Sequence, residues 1–258
     1  MTTSRDRPPA LEVSGLCFRA GGAAILDGID LEVADGDFLG IIGPNGAGKT
    51  TLFNLISGLL TPTLGTMRLS GRDLGGVAPA VRARLGLGRT FQTSLLFGAL
   101  PVAENARLAA QAHLGGSMRW LGGWQLPRRT DEASARALRA LEAVGLADAA
   151  GRPAAALSHG DKRKLELAIL IASQARVLLL DEPMAGVNAE DVPGLTALIA
   201  GLHADGRTVL MVEHHMAVVL GLARRVAVLH HGQLLACGDP EAVMADRDVQ
   251  GAYLGDPV

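Results

Sequence analysis

The chain is poor in cysteine: Cys17 and Cys237 are its two thiols in 258 residues. Two thiols cannot build a disulfide framework, so a reducing cytoplasm is the expected compartment. A basic excess is missing too. Lys and Arg number 24 against 26 Asp and Glu, a formal net charge of −2, which argues against a nucleic-acid-binding surface. Metal-ligand spacing is absent among the histidines. His214-His215 and His230-His231 are adjacent pairs, a poor geometry for two ligands on one helix face. No apolar run reaches the length of a membrane-spanning helix. The richest stretch, Leu165 to Leu180, is broken by Glu166, Ser173, Gln174 and Arg176. Met1 to Pro9 is polar and lacks the apolar core of a signal peptide. A soluble chain, or one held at a membrane by a partner, is therefore expected. With no short-period repeat and no long low-complexity tract, the length allows one large domain or a core with a subdomain.

Glycine, by contrast, is concentrated where it carries chemistry. Gly43-Pro44-Asn45-Gly46-Ala47-Gly48-Lys49-Thr50-Thr51 fits G-x-x-x-x-G-K-[ST], the pattern of a phosphate-binding loop. Phe38 to Ile42 before it is a short apolar run, read as a buried parallel strand. Leu52 to Ile56 after it has helical spacing. Strand, glycine loop and helix form the context that the motif demands. Gly43, Gly46 and Gly48 let backbone N–H groups turn inward around anionic oxygens, and the helix directs its positive end at the same place. Asn45, Gly46, Ala47, Gly48, Lys49, Thr50 and Thr51 are the expected phosphate contacts. Lys49 reaches the β- and γ-phosphates, and the Thr50 hydroxyl is a candidate Mg²⁺ ligand.

Along the chain, Leu11–Phe18 and Ile25–Val33 read as strands, the second with Ile29, Leu31 and Val33 on one face. They suggest a β-rich edge on an α/β core. Thr66–Leu69 and Leu87–Phe91 are further strands, the latter ending in Gln92. From Val102 the pattern turns helical. His113 to Thr130, with both tryptophans, two Gly-Gly pairs and a proline, is a departure. It reads either as a functional segment or as a surface excursion with its tryptophans packed beneath. Asp131–Val144 is an Ala/Leu/Arg helix, and residues 93–174 look like a helical insertion. Ser158 with Asp161 fits a capping box opening a helix that runs to about Ser173. Arg176–Leu180 and Arg207–Val212 are buried strands flanking a helix over Glu190–His203. Arg225–Leu229 and Gln233–Ala236 straddle His231-Gly232 as a hairpin, and Pro240–Leu254 is mostly helical.

Several strands end in polar residues: Gln92, Asp181-Glu182 and His214. Ligands of open parallel sheets bind beyond the carboxyl ends of strands, so these groups are expected around the nucleotide. Asp181 follows three leucines and would hold Mg²⁺, directly or through water. Glu182 is placed to polarise an attacking water. By itself Asp181-Glu182-Pro183 reads better as a charged turn after a buried strand, His214 as a surface or core-edge histidine, and Gln92 says nothing; the glycine loop upstream turns the first toward the metal-holding reading. Ser158-His159-Gly160 begins a helix behind a serine and a glycine, which is a second anion site or simply a capped helix. One chain needs one phosphate cradle, so the second suggests a γ-phosphate gripped from a neighbouring subunit.

In this order the motifs resemble those of ATP-binding cassette (ABC) subunits. Residues 43–51 match the Walker A loop, Gln92 the glutamine loop, 157–161 the signature, 177–181 the Walker B strand, Glu182 the catalytic glutamate, Ala185 to Asn188 the D-loop and His214 the switch histidine. Gly88-Arg89-Thr90-Phe91-Gln92, Asp181 to Gly186, Val212-Glu213-His214-His215-Met216 and Ala252-Tyr253-Leu254-Gly255 resemble the ATPase subunits of branched-chain amino acid importers, whose relatives include urea and amide importers. The resemblance implies an α/β P-loop NTPase core with an antiparallel β edge and a helical signature subdomain. It implies one nucleotide-binding domain over 1–258, binding ATP and Mg²⁺, with Thr50, Gln92 and Asp181 around the metal and Glu182, His214 and Gln92 in catalysis. Ser158 and Gly160 would complete the site of a second ATPase subunit. Two permeases and an extracytoplasmic solute-binding protein are the further partners, nucleic acid is not one, and the place of work is the cytoplasmic face of the membrane. Three departures stand out. His159 and Asp161 replace the third and fifth residues of Leu-Ser-Gly-Gly-Gln, His159 as in urea-type members. Asn188 replaces the usual D-loop aspartate. Ala20 stands where an aromatic usually stacks on adenine, with Phe18 two residues earlier either on the same strand face or in the core.

Overall fold

The computed structural model describes residues 8–92, 95–114 and 126–254. In chain order it has β1 (Leu11–Ala20), β2 (Ala23–Val33), β3 (Phe38–Ile42), α1 (Lys49–Ser57), β4 (Leu64–Leu69), β5 (Arg72–Asp73), α2 (Pro79–Arg84) and β6 (Leu87–Arg89). Then come α3 (Val102–His113), α4 (Leu126–Ala143), α5 (His159–Ala172), β7 (Val177–Asp181), α6 (Val192–Ala204), β8 (Thr208–Val212) and α7 (Met216–Leu222). The chain closes with β9 (Arg225–His230), β10 (Gln233–Gly238), α8 (Pro240–Ala245) and α9 (Arg247–Leu254).

The central six-stranded sheet has the order β10-β9-β3-β8-β7-β6. Its β9-β3-β8-β7-β6 pairings are parallel, and the β9–β10 hairpin adds an antiparallel edge. Both faces of this sheet are covered, which is why its strands are continuous apolar runs. Leu39, Ile41, Leu179, Leu210, Val212, Ala227 and Leu229 point to one side, into a core shared with α1 and the first two strands. Phe38, Ile42, Leu178, Leu180, Val209, Met211, Val226 and Val228 point to the other, into a core shared with α3 to α7. Leu165, Leu167, Ala168 and Leu170 of α5 lie in that second core beside the sheet residues. The helical segment is thereby joined to the sheet by burial.

The first two strands do not extend the central sheet. With β4 and β5 they make a separate antiparallel sheet of order β2-β1-β4-β5, packed across α1. The alternation over β2 is as expected: Ile29, Leu31 and Val33 are buried and Asp30 and Glu32 exposed. Other expectations move at their ends. β6 stops at Arg89 rather than Phe91: the Thr90 N–H still donates to the Leu179 carbonyl at 2.9 Å, but the Asp181 N–H goes to the Thr90 hydroxyl at 3.1 Å, a side-chain bond where the ladder would use a carbonyl. α4 begins at Leu126, not Asp131, and takes in Pro127, because proline is tolerated in a first helical turn. α6 begins at Val192, two residues after the expected Glu190. The short β5, α2 and α7 were not anticipated. Most of the tryptophan- and glycine-rich stretch lies outside the described residues. Among the described residues no helix is long and apolar enough to cross a membrane.

Candidate nucleotide site

Gly43 to Thr51 leaves the carboxyl end of β3 and enters α1 directly. Two of its glycines are demanded by space. A Cβ on Gly43, where φ is 148°, would come 2.1 Å from the Leu229 carbonyl oxygen. On Gly48, with φ of 102°, it would come 2.5 Å from Leu26 Cδ2. Gly48 is also the residue that opens α1, and no side chain caps that end, so its free N–H groups are available to an anion. Asn45 and Gly46 are exposed at the loop tip and Thr50 is exposed on the first turn. Lys49 is buried and donates from Nζ to the carbonyl oxygens of Gly43 (2.7 Å) and Pro44 (2.9 Å). Burial holds its ammonium below the ordinary lysine value, against the opposing pull of Glu182 and Asp181. The lysine is thus curled over its own loop, with acidic groups near enough to act on it.

Beyond the strand ends, three expected residues meet. Gln92 Nε2 donates to Glu182 Oε2 at 2.9 Å, and His214 Nε2 lies 3.0 Å from Glu182 Oε1. Glu182 is mostly buried and His214 half-exposed. The carboxylate is gripped on both oxygens by residues 90 and 32 positions away. Its backbone is at φ 48°, left-handed for a side-chain-bearing residue, a conformation that costs on the order of 1 kcal/mol or more. The Glu182 N–H donates to the Val212 carbonyl at 2.9 Å, so the end of β8 holds the strained turn in place.

Asp181, one residue earlier, is almost fully buried and paired with Arg89, whose Nη2 donates to its Oδ2 at 3.0 Å. Burial pushes the Asp181 carboxyl above the usual range, and the Arg89 hydrogen bond and charge pull it back. Its other oxygen, Oδ1, is buried with no hydrogen-bond partner. An orphaned carboxylate oxygen at a strand end fits a cation that would fill the gap.

Ser158 caps α5 by accepting the Asp161 N–H at 3.1 Å. The expected capping box is only half formed, because the Asp161 carboxylate takes Lys164 Nζ at 3.1 Å instead of reaching back. Gly160 faces Asp191, whose carboxylate oxygen would be 3.0 Å from an added Cβ, and His159 lies beside Gly186. Among the described residues no hydrogen bond joins this helix start to residues 43–51 within the chain. Phe18 is partly buried against the core between the sheets, and Ala20 is exposed.

Three supporting residues carried no role in the sequence reading. The buried Glu213 accepts from the Met184 N–H (2.8 Å) with Oε1 and from the His214 (2.8 Å) and His215 (3.1 Å) N–H groups with Oε2. An acidic residue directly after an apolar strand is the same signal that marked Asp181. Arg163 of α5 donates to the carbonyls of Phe91 and Gln92, both at 3.0 Å, which ties the signature helix to the glutamine segment. Arg89 is the third; one charged residue in a three-residue strand gives no pattern. A cleft of about 650 Å³ is lined by Arg139, Arg176 and Arg207 near the amino ends of β7 and β8. That is the opposite end of the parallel strands from the glycine loop, and the wrong end for a nucleotide.

A doubly covered parallel sheet, a glycine loop running into a helix, and a carboxylate pair at neighbouring strand ends define a P-loop nucleotide-hydrolysing cassette. The chain belongs to the ABC transporter family, whose description matches residues 26–185. A second description, branched-chain amino acid ATP-binding cassette transporter, matches residues 233–258. The chain is 41% identical over 253 residues to the high-affinity branched-chain amino acid transport ATP-binding protein BraF of Pseudomonas aeruginosa, covering 96% of this chain and 98% of that protein. It is 40% identical over 252 residues to LivG of Escherichia coli, described in the same words, with the same shares covered. Among solved structures it is similar to a nucleotide-free ATP-binding cassette from an ABC transporter, with a TM-score of 0.83, 28% identity, and 96% and 100% of the two chains covered. An ADP-bound form of such a cassette gives a TM-score of 0.81 at 28% identity, covering 96% and 99%. The chain is an ATP-binding ABC ATPase.

Proposed function

We propose that this cassette energises uptake of branched-chain or other hydrophobic amino acids. Support comes from the match over residues 233–258 and from the names of the relatives. The observation that carries the mechanism is the Glu182 carboxylate held by Gln92 and His214 at adjacent strand ends. Glu182 orients and deprotonates the attacking water, and His214 fixes that carboxylate and meets the γ-phosphate. Asn45 to Thr51 cradle the phosphates, with Lys49 turning from its loop carbonyls to the β- and γ-oxygens.

Thr50, Gln92 and Asp181 are the residues that would hold Mg²⁺. The Thr50 hydroxyl is exposed, Asp181 Oδ1 lacks a partner, and Gln92 uses its nitrogen on Glu182, so its carbonyl oxygen remains for a hard cation. The ion when bound neutralises phosphate charge.

Residues 1–258 work as one domain, in which 93–174 form the helical insertion. Ser158 and Gly160, which face no phosphate loop in their own chain, complete the site of a second cassette. Two permeases and an extracytoplasmic solute-binding protein make up the remaining assembly, at the cytoplasmic face of the membrane. Arg163, bonded to the Gln92 carbonyl, links the site to the insertion that a permease would contact. The test is reconstitution with two permeases and a leucine-binding protein of the branched-chain amino acid importer class, in proteoliposomes. Leucine-loaded binding protein is expected to raise ATP turnover; stimulation by urea or short amides, and none by leucine, would reassign the solute.

A further inference from the structure

Arg89 binds side chains of two different elements beside the site. It ends β6, and its guanidinium is almost fully buried, 6% exposed against 2% for Asp181. Nη1 donates to Asn54 Oδ1 and to Ser57 Oγ, both at 2.8 Å; Nη2 donates to Asp181 Oδ2 at 3.0 Å. The Ser57 hydroxyl spends its own proton on the Phe53 carbonyl at 2.7 Å, so its lone pair is turned to the arginine. The rings of Phe53 and Phe91 flank the guanidinium, with centroids 5.8 and 4.9 Å from Cζ.

Asn54 and Ser57 lie on α1, the helix that starts at Lys49-Thr50. Asp181 ends β7. One planar cation therefore bridges the two elements that carry the Thr50 hydroxyl and the Asp181 carboxylate. It also decides how that carboxylate is presented: Oδ2 is committed to Arg89, and Oδ1 is left bare. We propose that Arg89 is a positioning residue for Mg²⁺, fixing which Asp181 oxygen faces the ion and the separation between α1 and β7. This rests on the reading of Asp181 as a metal-holding residue. The residue type follows from the geometry. A lysine carries all its donors on one nitrogen and lacks the spread of a planar fork, whose Nη1 and Nη2 here serve α1 and β7 separately. Partners that orient a metal-holding carboxylate from behind typically govern metal affinity by about 10–100-fold.

The probe is Mg²⁺ itself, with a fluorescent ATP analogue bound to the full chain in EDTA and then across a Mg²⁺ series. R89M is expected to leave binding in EDTA unchanged while raising the Mg²⁺ concentration for half-maximal enhancement by about tenfold. R89K is expected to fall between it and the parent chain. A merely structural arginine would give a different result: binding in EDTA and in Mg²⁺ weakened together, with thermal stability. That outcome, or no Mg²⁺ shift, overturns the proposal. If R89M does not fold, N54A/S57A cuts only the tie to α1 and is expected to move the Mg²⁺ midpoint in the same direction by a smaller factor; an unmoved midpoint there overturns it equally. D181N separates the two readings. A Mg²⁺ response untouched by D181N removes Asp181 from the metal and this proposal with it. A D181N shift without an R89M shift defeats the role of Arg89 alone.

Discussion

Glu182 Oε1 lies 3.0 Å from His214 Nε2, while Glu182 Oε2 accepts from Gln92 at 2.9 Å. Both oxygens of the candidate base are thus engaged within the chain. The pair joins the end of β7 to the end of β8. Glu182→Gln keeps the shape and removes the basic charge. Steady-state ATPase is expected to fall by about 10²–10⁴-fold, while ATP binding survives and size-exclusion shows an ATP-dependent dimer. Near-normal turnover would remove Glu182 from the chemistry.

Lys49 is buried, held below its ordinary pKa, and bonded to the loop carbonyls of Gly43 and Pro44. Phosphate oxygens would stabilise its charged form and raise that pKa. ATP binding at alkaline pH is therefore expected to take up a proton, and ATP affinity to fall as pH rises through the nucleotide-free value. Calorimetry in two buffers of different ionisation heat reads the uptake directly. Lys49→Arg should abolish the uptake, because arginine stays protonated. Lys49→Ala should weaken ATP binding by at least about tenfold, about 1.4 kcal/mol. Unchanged affinity in Lys49→Ala would mean that the loop does not hold the phosphates.

The start of α5 makes no hydrogen bond to residues 43–51 among the described residues, so the composite site predicts complementation between chains. Lys49→Ala and Ser158→Arg are each expected to be inactive alone. Mixed, they form one site in which both halves are intact, and part of the activity should return. With a different cassette as physiological partner, the recovery should appear when that partner supplies the missing half. Absence of recovery in both settings would argue for a site complete within one chain.

Glu213 accepts N–H groups from Met184, His214 and His215 while buried at 2% exposure. Glu213→Ala strands the buried Met184 donor and frees the backbone that carries His214. The expected cost is about 1–3 kcal/mol of stability, seen as a lower Tm, together with a reduced kcat. Loss of neither would show that water replaces the carboxylate at no cost.

The parts of this protein written in local pattern were legible in the chain. Residues 43–51 could be read because the close approach to Leu229 and the positive φ at Gly48 demand glycine at fixed spacing, and the buried strands because both faces of the sheet are covered. The ordered motifs made the family legible as well. Segment ends were less so: Pro127 lies within a helix, and the Asp181 N–H ends the β6–β7 ladder on the Thr90 hydroxyl. What tertiary structure alone decided are the partnerships between distant residues. Nothing local in Glu182 tells that Gln92 and His214 hold its two oxygens, because neither is near it in sequence. Arg89 sits in a strand of three residues, too short to show a period. Its meaning comes from Asn54 and Ser57 on one side and Asp181 on the other, which only the packing of α1 against the central sheet brings within hydrogen-bond reach of one guanidinium.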